Sequence, residues 1–256
     1  MKGCPLRCSW CHNPEGLLPC RELMVSSAGC IHCGACKRIC RHEKCVACGE
    51  CVEVCPLHLR HIAGQEYSAE ELAEEILKNS AYYARCGGGV TFSGGEPLMQ
   101  AEFLSETLDR LPGIHRAIET SGFCSGESFR QIVEKLDYVI MDIKLFDREK
   151  HKRYVGADNE IILANAEYLC AGDKPFTVRI PMIPGVNDTR ENLEQTASFL
   201  KGARALEKVE LLPYHKTAGA KYAMVGREYS PDFDPDGEIF DGREIFEKYG
   251  IRSEML

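Results

Sequence analysis

The chain lacks the apolar segments that export or membrane insertion would need. No run in its 256 residues approaches the roughly 20 apolar residues that cross a bilayer. The start, Met1-Lys2-Gly3-Cys4-Pro5, has no stretch typical of a signal peptide. Positive charge is also scarce, since 31 Lys and Arg stand against 39 Asp and Glu, a formal charge of −8. These features predict a cytoplasmic protein with neither a membrane nor a nucleic acid as partner.

Cysteine, in contrast, is abundant and unevenly placed. The chain has 15 cysteines, and eleven of them lie at short spacings from one another within residues 1–55. Without an export signal, a disulfide framework is disfavoured and metal ligation is the natural interpretation. The remaining four cysteines stand alone and are predicted to be ordinary thiols: Cys20, Cys86, Cys124 and Cys170.

Eight of the eleven cysteines form two runs with the same spacing of two, two and three residues. This repeated register, with a glycine after the second cysteine of each run, is typical of bacterial ferredoxins, where the fourth cysteine of one run binds the cluster of the other. It predicts two [4Fe–4S] clusters rather than a four-ligand zinc site. One cluster is expected on Cys30, Cys33, Cys36 and Cys55, and the other on Cys40, Cys45, Cys48 and Cys51.

The three remaining cysteines, Cys4, Cys8 and Cys11, have a different spacing of three and two residues and no fourth thiol in register. Three thiolates on a four-iron cluster leave one iron open, which the amino and carboxylate groups of a small molecule can then chelate. The alternative is a closed cluster with Cys20 as the fourth ligand.

From residue 65 onward, helical and strand patterns alternate. Ser68 and Glu71 form a capping box that predicts a helix to about residue 79. Strands are predicted at 90–93, 117–120, 138–142, 176–180 and 209–212, with helices at about 100–111, 125–136, 159–171 and 188–201. This alternation predicts an α/β fold with a parallel sheet, either doubly wound or a barrel.

Polar and glycine-rich residues follow each predicted strand. They include Ser93-Gly94-Gly95-Glu96-Pro97, Glu119-Thr120-Ser121-Gly122, Asp142-Ile143-Lys144, Arg179 and Pro213-Tyr214-His215. Because parallel strands share one carboxyl edge, these residues are expected to meet there and to form a site.

Together, the Cys4-x3-Cys8-x2-Cys11 motif with Trp10, the Gly-Gly-Glu loop and the later loops resemble the radical S-adenosylmethionine (SAM) superfamily. More narrowly, the chain resembles the activating enzymes of glycyl radical enzymes. The resemblance implies a partial, six-stranded TIM-like barrel formed by residues 1–19 and 65–256, with a bacterial-ferredoxin-like insert at 20–64. Relatives carry a longer segment before the cysteine motif, so the first barrel strand is expected to be missing.

The resemblance also assigns site residues. SAM would bind the open iron of the cluster on Cys4, Cys8 and Cys11. Gly94, Gly95 and Glu96 would meet its amino group, and the backbone of Trp10, Cys11 and His12 its adenine. The Asp142-Ile143-Lys144 loop and His215 would hold its carboxylate and ribose. Glu119 and Thr120 match a position that in relatives can help bind a monovalent cation.

By the same resemblance, the enzyme cleaves SAM reductively to a 5′-deoxyadenosyl radical, which takes a hydrogen atom from a glycine of a partner glycyl radical enzyme. A flavodoxin- or ferredoxin-type protein would supply the electron. Two alternatives stay open: a radical SAM enzyme that acts directly on a small molecule, and a non-catalytic electron-transfer protein. The sequence names neither the partner enzyme nor the role of the two additional clusters.

Overall fold

The computed structural model describes residues 1–256, apart from the side chain of Ala218. Its first part is irregular: residues 1–21 contain a 3-10 turn at Pro14–Gly16 and no strand. Strand β1 (Glu22–Val25) then pairs antiparallel with β2 (Arg60–Ala63), and two short helices lie between them, α1 (Ala35–Ile39) and α2 (Glu50–Glu53). We call residues 1–19 the N-terminal loop and residues 20–64 the cysteine-rich segment.

The rest of the chain forms a six-stranded parallel sheet in the order β3-β4-β5-β6-β7-β8. Every strand therefore pairs with the next strand along the chain, and the order never reverses as it does in a doubly wound sheet. This topology favours the partial barrel over the doubly wound alternative. The strands are β3 (Gly89–Phe92), β4 (His115–Thr120), β5 (Tyr138–Asp142), β6 (Phe176–Met182), β7 (Leu206–Pro213) and β8 (Ser253–Met255).

Nine described α-helices in residues 65–256 accompany these strands, together with a 3-10 turn at Pro97–Gln100. They are α3 (Ala69–Leu77), α4 (Ser80–Cys86), α5 (Ala101–Asp109), α6 (Gly126–Glu134), α7 (Arg148–Val155), α8 (Glu160–Ala171), α9 (Arg190–Leu200), α10 (Ala218–Met224) and α11 (Arg243–Lys248). The predicted capping box is confirmed at α3, where the Ser68 side chain accepts from the Glu71 amide and the Glu71 side chain accepts from the Ser68 amide. No described helix has the length and apolar character of a membrane span.

All five predicted strands are confirmed, with β4, β6 and β7 longer than expected. The described N-terminal loop contains no strand, so β3 forms one edge of the sheet. The sixth strand of the sheet is β8, which the sequence did not reveal and which forms the other edge. Strand β8 has only three half-buried residues, too few to show an alternating pattern.

Two apolar clusters hold this architecture. The larger cluster lies between the sheet and its helices, with fully buried residues such as Phe129, Val139 and Phe246. The smaller cluster fixes the N-terminal loop to the barrel, because Leu6 and Trp10 pack with Leu145, Val155 and Ile183.

Candidate functional site

A cavity of about 490 Å³ lies at the carboxyl edge of strands β3 to β7. Volumes of this size suit a small-molecule ligand. The predicted site residues that line the cavity are Cys4, Cys8, Trp10, Cys11, His12, Gly94, Gly95, Glu119, Thr120, Asp142, Lys144 and His215. Residues from the N-terminal loop and from four loops after strands thus meet at one place. Glu96 and Ile143 are not among the lining residues.

The N-terminal loop is fixed both to itself and to the barrel. The Gly3 amide donates to the Gly16 carbonyl at 2.8 Å, which closes the loop. The Arg7 amide donates to the Val155 carbonyl at 2.8 Å, at the end of α7. Leu6 and Trp10 of this loop are also buried. The backbone that carries the three cysteines is therefore held by hydrogen bonds within the loop and to the barrel.

The three thiols of this loop lie in a poorly hydrated environment. Burial raises the pKa of the Cys8 thiol to about 12 and also raises the pKa of Cys4 and Cys11. Thiolates here therefore need a positive partner such as iron. Three such thiols on one cavity, with Cys20 exposed and outside the lining, do not support the closed-cluster alternative.

Lys144 supplies positive charge beside these thiols. Its ammonium donates to the Asp142 carboxylate at 2.7 Å, and its side chain is only 13% exposed. Burial alone would lower the pKa of Lys144, but the charges of Asp142 and Cys8 outweigh that effect and raise it. Lys144 is therefore a fixed cation at the cavity wall.

Gly94 and Gly95 allow two backbones to approach closely. A Cβ added to Gly94 would lie 2.0 Å from the Met1 carbonyl oxygen, and one added to Gly95 would lie 2.3 Å from that of Gly3. The Gly95 amide donates to Met1 at 2.8 Å, and the Glu96 amide to Gly3 at 2.7 Å. These contacts leave no room for a side chain, which explains the glycine pair independently of any ligand.

Glu96 lies beneath the cavity and is 1% exposed. Its carboxylate accepts hydrogen bonds from the Thr120 hydroxyl at 2.5 Å, from the Ser121 amide at 2.8 Å and from the Ser121 hydroxyl at 2.5 Å, and also from the Leu98 amide at 3.1 Å. Four donors compensate its buried charge. Glu96 thus ties the loop after β3 to the loop after β4 rather than facing the cavity.

Glu119 belongs to a row of alternating charges across the sheet. Its carboxylate accepts from the Ser93 hydroxyl at 2.7 Å and pairs with Arg179, whose Nε also donates to Glu210 at 2.6 Å. Arg179 thus already gives Glu119 a positive neighbour. The predicted monovalent cation therefore gains no support from this geometry and stays a prediction.

Two histidines and a tyrosine lie close together on the lining of the cavity. The ring of His12 lies 5.4 Å from that of Tyr214 and 6.5 Å from that of His215. Burial, reinforced by the charge of His215, lowers the pKa of His12 and favours its neutral form. The His12 Nε2 is buried without a hydrogen-bond partner among the described residues, and so it can bond to a ligand.

Sequence reasoning missed several residues of this cavity, including Asn13, Ser121 and Tyr214. Ser121 and Tyr214 are the direct neighbours of predicted residues in loops that were already singled out. Only their position in those loops could have identified them, because the whole turn after each strand faces the carboxyl edge of the sheet.

The eight octet cysteines border two other cavities in the cysteine-rich segment. Cavity A, about 230 Å³, is lined by Cys30, Cys33, Cys36 and Cys55. Cavity B, about 240 Å³, is lined by Cys40, Cys45, Cys48 and Cys51, and also by Cys36. The division matches the interlocked sets that the spacing predicts. No described group of three or more His, Cys, Asp or Glu is close enough to hold a single metal ion.

Comparison with known proteins identifies the family. The model of the radical SAM superfamily matches residues 1–200. The trans-4-hydroxy-L-proline dehydratase activating enzyme of Clostridioides difficile is 37% identical over 247 residues, which cover 89% of this chain and 82% of that protein. The choline trimethylamine-lyase activating enzyme of Oleidesulfovibrio alaskensis is 35% identical, with coverage of 91% and 83%.

A solved structure agrees with these sequence matches. A domain of the pyruvate-formate lyase-activating enzyme from Bacteroides vulgatus superposes with a TM-score of 0.54 at 31% identity and covers 66% of this chain and 99% of that one. The structural match extends over two thirds of this chain, and the sequence matches extend over about nine tenths of it. The chain belongs to the radical SAM superfamily and, within it, to the activating enzymes of glycyl radical enzymes.

Proposed function

We propose that this protein activates a partner glycyl radical enzyme by removing a hydrogen atom from the Cα of one of its glycines. The observation that carries the proposal is the convergence of Cys4, Cys8 and Cys11 with the glycine pair and Lys144 on one cavity. Relatives with 35–37% identity are named as activating enzymes, which supports the same activity here.

The residues present fit the cofactors that the family implies, a [4Fe–4S] cluster and SAM. Three half-buried thiols supply three ligands and leave the fourth iron for SAM. When bound, the reduced cluster supplies the electron that cleaves a carbon–sulfur bond of SAM and so provides the hydrogen-abstracting group.

The protein residues orient SAM and exclude water. The cation of Lys144 is fixed by Asp142 and suits a carboxylate. The unpartnered His12 Nε2 suits a polar atom of the nucleoside. Gly94 and Gly95 bring backbone, rather than side chains, to the cavity wall. Glu96 would position these loops through its bonds to Thr120 and Ser121, and its direct contact with SAM stays a prediction.

A protein substrate needs an accessible cavity. Edge strands β3 and β8 do not pair with each other in the part of the chain that the structure describes, so the barrel is open. Leu256, at the end of β8, lines the cavity and is 60% exposed. A glycine segment can therefore enter from this side, since a residue without a side chain needs little width.

For the cysteine-rich segment, we infer a ferredoxin-like unit at 20–64 inserted into a barrel of 1–19 and 65–256. Cavities A and B support two additional [4Fe–4S] clusters, because each is bordered by four cysteines of one interlocked set. A flavodoxin- or ferredoxin-type donor would reduce them in the cytoplasm, where thiols stay reduced.

The test is to mix the reduced, iron-loaded protein with SAM and a candidate glycyl radical enzyme, without oxygen. A doublet in the electron paramagnetic resonance (EPR) spectrum is expected from a glycyl radical on the partner. Replacing the candidate glycine of the partner by Ala is the matched control and should remove the doublet. Steady SAM cleavage with a small metabolite, and no radical on any protein, would instead identify a direct-acting enzyme.

A further inference from the structure

The two cysteine octets are local copies of one backbone turn. His32 and Ala47 occupy equivalent positions, one residue before Cys33 and Cys48, and have φ of 53° and 51°. Gly34 and Gly49 follow those cysteines with φ of 74° and 92° and precede α1 and α2. Any difference in the surroundings of the two turns therefore reflects their place in the molecule and not their own conformation.

The surroundings differ sharply. Ala47 is only 6% exposed, and its carbonyl accepts from the Arg21 guanidinium at 2.7 Å. Its counterpart His32 is exposed. Arg21 directly precedes Glu22, whose carboxylate pairs with Lys2 and Arg227 outside the segment. The second turn therefore faces the junction with the barrel, and the first turn faces away from it.

The pairing of β1 with β2 independently shows which of the two cavities lies nearer to the barrel. Glu22 pairs with Ala63 at the junction, and Val25 pairs with Arg60 at the far end. Cavity B is lined by Leu23 and Ile62, near the junction. Cavity A is lined by Val25, Ser26 and Leu59, at the far end, and Arg60 lines both cavities. Cavity B is thus the inner cavity and cavity A the outer one.

The surface over cavity A is both apolar and basic. Ile31 and Leu57 line this cavity and are 65% and 43% exposed. Exposed Lys37 and Arg38 lie beside them, with Arg38 donating to the Cys33 carbonyl at 3.0 Å. The cysteine-rich segment holds six Lys and Arg against four Asp and Glu, in a chain whose net charge is −8. An apolar centre with a basic rim suits an acidic protein partner.

We propose that this outer surface, defined by Ile31, Leu57, Lys37 and Arg38, is the docking site of an acidic one-electron donor protein. The inference rests on the cluster content proposed above. One electron leaves the donor, which is oxidised, and enters the cysteine-rich segment, which is reduced, with no atom transferred. Cavity A is the point of entry, and cavity B is the side that faces the barrel.

The pseudo-symmetry of the octets provides the test. Ile31 and Val46 occupy equivalent positions, and both are well exposed, at 65% and 59%. A glutamate at either position therefore leaves the core intact, but only Ile31→Glu places a negative charge in the proposed contact. The probe is a reduced acidic flavodoxin, and the readout is the bleaching of cluster absorbance in stopped flow, without SAM or partner enzyme. A binding titration with oxidised flavodoxin accompanies it.

Ile31→Glu should slow reduction and weaken flavodoxin binding on the order of tenfold, as expected for a residue at an interface centre. Val46→Glu should stay within about twofold of the parent protein, and dithionite, which needs no docking surface, should reduce all three proteins at the same rate. Added salt should slow only the flavodoxin reaction of the parent protein.

Equal slowing by both variants, or by neither, overturns the docking site. Because no partner enzyme is present, that result leaves the proposed activation reaction untouched. A protein that binds only about four iron atoms overturns the docking site together with the proposed cluster content, but again not the activation reaction.

Discussion

The N-terminal loop and the cysteine-rich segment both present thiols to a cavity, but only the first is backed by a hydrophobic core. Leu6 and Trp10 are buried against the barrel, and burial raises the pKa of Cys8 to about 12. In described residues 20–64, Met24 and Ala47 are the only buried apolar side chains. The barrel site is thus shaped by packing, whereas the segment depends on what its cysteines bind.

The sharpest test of this difference is removal of each set of cysteines. Replacing Cys4, Cys8 and Cys11 by Ala should abolish SAM cleavage and lower the iron content from about 12 to about 8 atoms. Replacing Cys33 and Cys48 by Ala should lower iron to about 4 atoms but leave SAM cleavage with a chemical reductant. Iron analysis and chromatography of 5′-deoxyadenosine measure both results. Cleavage by the first variant would refute the assignment of the open cluster.

Iron removal from the parent protein should next separate the two regions by stability. The cysteine-rich segment has little core of its own, so chelation should increase trypsin cleavage at its exposed Lys37, Arg38 and Arg41 on the order of tenfold. The barrel, with its fully buried Phe129 and Phe246, should stay resistant. Limited proteolysis with mass spectrometry measures the sites. The Cys33 and Cys48 double variant, kept in iron, is the control and should be cleaved like the chelated protein.

A smaller effect should follow from Glu96→Gln within the barrel. The amide keeps one acceptor oxygen, but its NH₂ group would face the donors that now bond to the carboxylate. The free energy of unfolding should fall by about 2–4 kcal/mol, and SAM should bind more weakly because the two loops are no longer tied.

Glu102→Gln is the matched control for this change, because Glu102 is exposed on the neighbouring α5. It should alter stability by less than about 0.5 kcal/mol. Denaturant titration measures both variants. Unchanged stability in Glu96→Gln, together with weaker SAM binding, would instead support the direct contact between Glu96 and SAM that the motif suggested.

The sequence predicted the central sheet well because its strands carry dense apolar residues. Strand β5 begins and ends where it was expected, at Tyr138 and Asp142. Helix α7 was missed because His151 and Val155 are its only buried residues, which gives no helical apolar pattern. The doubly wound and barrel alternatives could not be separated by periodicity, since strand order is a property of tertiary pairing.

The site was predictable in its location but not in the role of each side chain. Loops after strands were expected at one edge, and they meet there. A glutamate that follows two glycines, however, gives the same sequence pattern whether its side chain binds a ligand or other residues of the protein. Only the contacts of Glu96 with Thr120 and Ser121 reveal the second role. The asymmetry of the octets was equally hidden, because His32 and Ala47 differ in their surroundings and not in their spacing.

The close approach of Gly94 and Gly95 to Met1, Gly3 and Gly16 has a mechanical consequence. Two backbones in direct contact, with no side chain between them, cannot slide or tilt independently without breaking hydrogen bonds. The loop that carries the three cysteines and the loop after β3 therefore move together as one rigid body. Thermal fluctuation would then change the distance between the cysteines and the glycine wall very little, which suits a reaction whose rate depends steeply on separation.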